Sequence, residues 1–452
     1  MSKPKEYSAM TKDRLMLYTF IALLAITIVS AALWSQVTPT NLMTGTTSLN
    51  LGLTVIICAL ISVGVAVGID VLFYKLVSDS PLNLMSAAVY GLIVTLSYSL
   101  GLPSMNTEVG LPVDAPGAFV YVGLISLVGM VLFKKVLPHK LNPAAAAKFL
   151  VLLPLFNSIF IAVDHLKTGW LGVPALAGPL GGGIAPVGDN GMASFASYLQ
   201  GCFANPAVAT PPDVPYIMIF EKFHGWVGGA SSIAVIIAGI ALFAVAHRFI
   251  KWRITLAYFV TVALMSVILS VAYADTDMTY RLIFSIFIGS SIFMGFFMAT
   301  DPATTPLTYT GQLIFGVGLG VLTILIQTYM NFFGGSILAL LIMNLTVSKL
   351  DQIGKLTPRQ EKKEPKLPKA KQFAAEKVKE YACIKCGACM RVCCHALSPI
   401  LIKQAYDKQD FDALAKLHAD YCTGCGHCTF ICPARIDLRK SVLTAKGMMR
   451  QQ

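Results

Sequence analysis

The chain has 452 residues, 56% of them hydrophobic and only 13% charged, whereas a soluble domain carries about 25% charged residues. With a mean hydropathy of +0.69, a soluble globular protein is excluded. The formal charge of +12 would suit a nucleic-acid partner if it were concentrated in one patch. Instead it is spread out: residues 1 to 350 hold 16 Lys+Arg against 13 Asp+Glu, residues 351 to 380 hold 9 against 5, and residues 381 to 452 hold 10 against 5. The excess lies on membrane flanks and a tether, so no nucleic acid is expected.

Apolar runs near the length of a bilayer-spanning helix occur at 15 to 34, 51 to 72, 84 to 101, 116 to 133, 143 to 163, 227 to 247, 254 to 273, 282 to 299, 311 to 329 and 332 to 348. The first is too long for a signal-peptide core and nine more follow, so it reads as an uncleaved helix. Ten spans place both termini on one side. Lys3, Lys5, Lys12 and Arg14 precede the first run, and alternate loops carry Lys75, then Lys134, Lys135 and Lys140, then Arg248, Lys251 and Arg253. The opposite loops are nearly free of basic residues, which makes both termini cytoplasmic and the location a multi-pass cytoplasmic (inner) membrane.

One external connection, Asp164 to Trp226, is long and rich in Gly and Pro; such loops are functional or serve as a lid over the bundle. Five spans lie on either side of it. Structural repeats with an odd number of spans would be inverted, with sites near the midplane, although the sequence itself shows no clear repeat. Asp70 and Lys148 fall inside runs near cytoplasmic ends, where snorkelling or interfacial pairing accounts for them. The small residues from Gly225 to Ser232 open the sixth span, and they suit either an anion at a helix amino terminus or close helix packing.

From Asp351 to Glu380 the sequence is Lys/Glu/Pro/Ala-rich, too poor in apolar surface to fold alone, and reads as a cytoplasmic linker able to rest on anionic membrane lipid. Nine of the eleven cysteines follow it, as Cys383-x2-Cys386-x2-Cys389-x3-Cys393 and Cys422-x2-Cys425-x2-Cys428-x3-Cys432-Pro433. In this spacing three thiolates of a run hold one cubane and the fourth reaches the other. Cys383, Cys386, Cys389 and Cys432 are therefore assigned to one [4Fe–4S] cluster, and Cys422, Cys425, Cys428 and Cys393 to a second. Zinc would need one four-cysteine set only. Cys394 stands where proline normally follows the run and is expected to be a buried bystander. Between the runs, Ser398-Pro399 and Asp410 look like helix starts, giving a helical spacer and an α-helical ferredoxin.

The membrane part resembles the D subunit of the Rnf electron-transport complex and the related B subunit of the sodium-pumping NADH:quinone reductase. The resemblance lies in Leu141-Asn142-Pro143-Ala144, in Gly225 to Ser232, in Lys251-Trp252-Arg253-Ile254, and in Met298-Ala299-Thr300-Asp301-Pro302 followed by Thr304-Thr305-Pro306 and Gly311. It covers about residues 50 to 350. The carboxy-terminal part is similar to the ferredoxin portion of the Rnf C subunit, in Cys383-Ile384-Lys385-Cys386-Gly387-Ala388-Cys389 and the closing Ala445-Lys446-Gly447. The C subunit's NADH- and flavin-binding portion has no counterpart here.

The resemblance implies flavin, other integral and peripheral subunits, a soluble ferredoxin or similar electron carrier, and redox chemistry coupled to Na+ or H+ movement. Members of the family carry FMN on a threonine in a Ser-Gly-Ala-Thr type sequence. The corresponding stretch here is Asp164-His165-Leu166-Lys167-Thr168-Gly169-Trp170, which makes Thr168 a poor acceptor. FMN and/or riboflavin is therefore expected to be noncovalent, near Asn142, Gly228, Gly229, Ser231 and Asp301.

The expected fold is an all-α polytopic membrane protein of ten transmembrane helices, with room for 5+5 inverted halves, plus a small α-helical two-cluster ferredoxin domain. Its divisions are 1 to 350, a linker at 351 to 380, and 381 to 452. Two functions fit: a membrane subunit passing electrons between cytoplasmic clusters and membrane-held flavin, or a membrane transporter or channel with an iron–sulfur regulatory domain. Flavin in the purified protein separates them.

Overall fold

The computed structural model describes residues 10–35, 50–77, 82–98, 115–137, 140–151, 226–272, 278–287, 291–329, 335–354 and 380–449. Among these the secondary structure is entirely helical. The membrane part contains α1 (Lys12–Ser35), α2 (Leu51–Leu76), α3 (Leu84–Ser97), α4 (Ala115–Val128, continued by a wide π turn Gly129–Val136), α5 (Pro143–Val151), α6 (Ser232–Ala246), α7 (Trp252–Ala272), α8 (Met278–Phe287), α9 (Tyr309–Tyr329) and α10 (Gly335–Ile353). A short helix, Ser291–Phe293, and a π turn, Met294–Met298, lie between α8 and α9.

Every expected run contains helix among the described residues, yet only six helices are long and apolar enough to cross a membrane. Two others fall short for visible reasons. α3 ends at Ser97 because Tyr98 turns extended (φ −79°, ψ 149°), and α6 begins only at Ser232 because Val227–Gly229 is a 3-10 turn. The second half of the fifth run and the whole Asp164 to His224 stretch, Thr168 included, lie outside the described residues.

Close helix packing follows from small residues. A Cβ on Gly91 of α3 would stand 2.7 Å from the Val63 Cα of α2, so that contact is backbone against backbone. Beside it Ser62 and Thr95 share a hydrogen bond of 2.6 Å, and Thr95 also donates to the Cys58 carbonyl at 3.2 Å. A Cβ on Gly316 or Gly320 of α9 would stand 2.7 Å from the Ala257 Cβ or 2.8 Å from the Thr261 Cβ of α7, the small-xxx-small arrangement of membrane helices. Outward, Leu60, Ile237, Leu264 and Val271 are exposed, a surface suited to lipid.

The carboxy-terminal module comprises α11 (Ala388–Arg391), α12 (Pro399–Asp407), α13 (Phe411–Lys416), α14 (His427–Ile431) and α15 (Leu438–Met449). As read from the sequence, Pro399 opens α12, and the Asp410 side chain caps α13 by accepting from the Ala413 N–H. The module sits on the membrane part at the amino-terminal end of α1. The Lys12 N–H donates to the Pro433 carbonyl at 2.9 Å. Arg391 donates to the carbonyls of His247 (3.0 Å) and Ile250 (3.2 Å), just past the end of α6, and to its own Cys386 carbonyl at 2.8 Å. Ile384, Ala388 and Met390 join the same apolar core as Ile250 and Leu307.

Candidate functional site

The two cysteine loops are built alike. In each, the first thiol accepts a backbone N–H two residues on, Lys385 to Cys383 (3.3 Å) and Gly424 to Cys422 (3.4 Å). In each, a glycine in the left-handed region, Gly387 (φ +71°) or Gly426 (φ +82°), starts the short helix that carries the third thiol, Cys389 or Cys428. Only glycine adopts that conformation without strain.

Cys386 lies in electrostatic reach of Cys383 and Cys432, and Cys389 in reach of Cys386, Cys383, Cys432 and, from the other set, Cys428. Cys428 also neighbours Cys422, Cys425 and Cys393, and these four line one small cavity. Burial pushes the Cys386 and Cys428 thiols up to about 12, so holding them as thiolates takes a bound metal. Among the described residues no three His, Cys, Asp or Glu side chains converge as a single ion requires; a cubane, with one thiolate per iron, needs no such convergence.

The two sets face different ways. Cys386, Cys389 and Cys432 are buried, within the core shared with the membrane part. Cys425 is exposed. Cys394 is a correction to the sequence reading: it is exposed rather than buried, with its Sγ 4.0 Å from the Cys425 Sγ.

Between the first set and the membrane helices lies a cavity of about 660 Å³. Its walls include Phe73, Ile93 and Phe297, its polar rim Lys12, Asp70, Lys134, Lys135, Asn142 and Asp301, and its module side Cys383. Each rim group is anchored. Asp70 pairs with Lys135 at 2.7 Å and accepts the Asn83 N–H at 2.7 Å, and Lys12 donates to the Asn83 side chain at 2.6 Å. Lys134 donates to the Ser86 carbonyl at 2.8 Å. Asn142 caps α5 through the N–H groups of Ala144 and Ala145 and donates to the Met298 carbonyl. Asp301 accepts from the Ala303 N–H and the Thr304 hydroxyl. Beside it the buried Lys251 donates to the carbonyls of Pro302 (3.0 Å) and Thr305 (2.8 Å). Burial lowers its pKa to about 7, against the pull of the Asp351 and Asp301 carboxylates.

Asn142 and Asp301 thus meet at one cavity, whereas Gly228, Gly229 and Ser231 do not line it. A Cβ on Gly228 would stand 3.0 Å from Leu96 and 3.1 Å from Phe293, and Ser231 caps α6 by accepting from the Ala234 N–H. Asp70 does pair across an interface, as expected. Lys148 does not snorkel: it is buried, its ammonium donates to the Ser97 carbonyl, and it lies 4.3 Å from the Trp226 ring centre. The reason is the early end of α3, which leaves its last carbonyls beside the second turn of α5. Lys12, Lys134 and Lys135 entered the sequence reading only as markers of topology.

A sequence model of the NQR2, RnfD, RnfE family matches residues 1–359, and one of a 4Fe-4S dicluster domain matches residues 360–436. The D subunit of an ion-translocating oxidoreductase complex from Mannheimia succiniciproducens is 36% identical over 121 residues, 27% of this chain and 33% of that protein. The D subunit of the Na(+)-translocating ferredoxin:NAD(+) oxidoreductase complex from Acetobacterium woodii is 28% identical over 132 residues, 29% of this chain and 38% of that one. The B subunit of a Na(+)-translocating NADH-quinone reductase from Ectopseudomonas mendocina is 27% identical over 198 residues, 43% and 42% of the two chains. The matched stretches span between 33% and 42% of these three relatives' own lengths.

Proposed function

The chain belongs to the NQR2, RnfD, RnfE family, and we propose on that ground that it is a membrane subunit of an electron-transfer complex. It relays electrons between two [4Fe–4S] clusters in the module at 381 to 452 and a flavin in the membrane part at 1 to 350, coupled to Na+ or H+ movement. The relatives named as parts of ion-translocating oxidoreductase complexes support that reading. The module and both termini are taken as cytoplasmic, from the basic loops. Cys383, Cys386, Cys389 and Cys432 would hold the inner cluster, and Cys422, Cys425, Cys428 and Cys393 the outer one. Exposure of Cys425 puts exchange with a soluble ferredoxin or similar carrier at the outer set, and other subunits complete the complex.

The observation that carries the reading is that Cys383 belongs to the inner set and also forms a wall of the 660 Å³ cavity. That volume lies in the range of small-molecule sites, its walls are apolar, and its rim has three lysines against two aspartates. Such a rim fits FMN or riboflavin, whose charge on reduction or phosphorylation is negative. When bound, flavin would link one-electron carriers to two-electron chemistry. Asn142 and Asp301 would orient the ring system, while Lys12, Lys134 and Lys135 would hold the cytoplasmic end and offset its charge.

Flavin and iron analysis of the purified complex tests this. The reading expects noncovalent flavin released by acid, with no fluorescent band at this chain in denaturing electrophoresis. Asn142→Leu and Asp301→Leu should each weaken flavin retention about 10-fold or more, the scale of one lost buried hydrogen bond, while leaving iron content unchanged. A complex without flavin, or a fluorescent band abolished by Thr168→Ala, would overturn it.

A further inference from the structure

We propose that Cys394 and Cys425 form a reversible disulfide under peroxide stress, a modification that competes with cluster ligation at the outer cysteine set. The proposal rests on the outer cluster being present, and its test separates the two. Three observations carry it. The Sγ atoms stand 4.0 Å apart, about 2 Å more than the length of a disulfide bond. These two are the exposed thiols among the described cysteines, all others being buried or half-buried, so a small oxidant in water meets them first. Finally, the position of Cys394 is filled in the other loop by Pro433, which is buried and accepts the Lys12 N–H through its carbonyl. The second run therefore has a docking contact where the first run has an exposed thiol.

The chemistry balances with a hydroperoxide as oxidant. The Cys394 sulfur attacks hydrogen peroxide, the O–O bond breaks, and a sulfenic acid and one water result. The Cys425 sulfur, once free of iron, then displaces the hydroxyl from that sulfenic acid. An S–S bond forms, and the departing hydroxide takes the second thiol proton as another water. Two thiols have lost two electrons and two protons to one peroxide. A dithiol reverses the step by exchange and returns Cys425 to the cluster site. Without the partner thiol, a freed Cys425 would itself be oxidised by two peroxides, through sulfenic to sulfinic acid with one water from each, and a dithiol does not reverse the second step.

The test uses the full chain in its complex, with Cys394→Ser as the comparison. Before oxidation both proteins should show two cluster signals by EPR and equal iron. After peroxide bleaches the outer signal, alkylation and peptide mass spectrometry of the unsubstituted protein should find the Cys394 and Cys425 peptides joined. Dithiol, iron and sulfide should then restore the outer signal, and the variant should recover less than half as much, with sulfinic acid at Cys425. The inner signal reports that the module stays folded in both. The proposal is overturned if Cys394 is alkylated in fully bleached protein, or if the variant recovers as well. Absence of the outer signal from the untreated variant also overturns it, because Cys394 would then be a ligand; absence from the untreated, unsubstituted protein would instead remove the cluster reading.

Discussion

The membrane part and the module are held together by different means. In the membrane part, charged and polar groups at the helix contacts are held by the chain itself: Ser62 by Thr95, Asp70 by Lys135 and the Asn83 N–H, and Lys251 by three oxygens. Its helices meet through glycines and need no added group for contact. In the module, eight thiols sit on short loops and helix starts, and burial makes the deepest of them, Cys386, Cys389 and Cys428, poor anions. Such a domain derives much of its folding free energy from the metal it binds. Cofactor loss should therefore divide the molecule in two.

The sharpest way to break that comparison is to strip iron with a chelator and a reductant. The intact protein should hold about eight iron and eight sulfide per chain, from two four-iron clusters, and removal should expose residues 380 to 449 to protease while the membrane helices persist by circular dichroism. Ligation releases protons from thiols whose pKa burial has raised to about 12 for Cys386 and Cys428, so reconstitution should weaken as pH falls. Survival of a folded module without iron would contradict the contrast outright.

A smaller effect should come from Gly91→Ala. Its Cβ would meet the Val63 backbone at 2.7 Å, and since backbone cannot yield as a flexible side chain does, α2 and α3 must separate at a cost of about 1–3 kcal/mol. Thermal unfolding of the membrane part in detergent should shift downward with both clusters still present by EPR.

The smallest effect concerns Lys251. Its pKa is about 7 in the fold against an ordinary 10.5, so between those values the unfolded chain binds the extra proton and stability rises with pH. Melting temperature should climb through that range in the unsubstituted protein, and the rise should flatten in Lys251→Met; an unchanged slope would show that Lys251 keeps its charge.

The same contrast explains what could be read from sequence. The two cysteine runs were legible because their spacing is local, each contained within one short stretch of chain. The short helices at Pro399 and Asp410 were legible for the same reason. The cavity was not, because its rim joins Lys12, Asp70, Asn142, Asp301 and Cys383 from five distant segments. Asn142 and Asp301 emerged only through family resemblance, and the lysines were absorbed by the topology argument. Lys148 was misplaced because its depth depends on where another helix ends, and Cys394 because exposure is a property of the folded module. Gly228 illustrates a residue type with two uses, of which the structure exhibits helix contact.

Arg391 ties the inner cysteine loop to carbonyls beyond α6, and the backbone joins module to membrane helices a second time through Gly354 to Glu380. Docking is therefore an event within one molecule, independent of protein concentration. A two-chain version of the same relay would lose its partner on dilution and would need an interface tight enough to resist that. Here a modest contact suffices, every membrane body carries one module, and the contact is free to loosen and re-form without the carrier ever being lost to the surrounding solution.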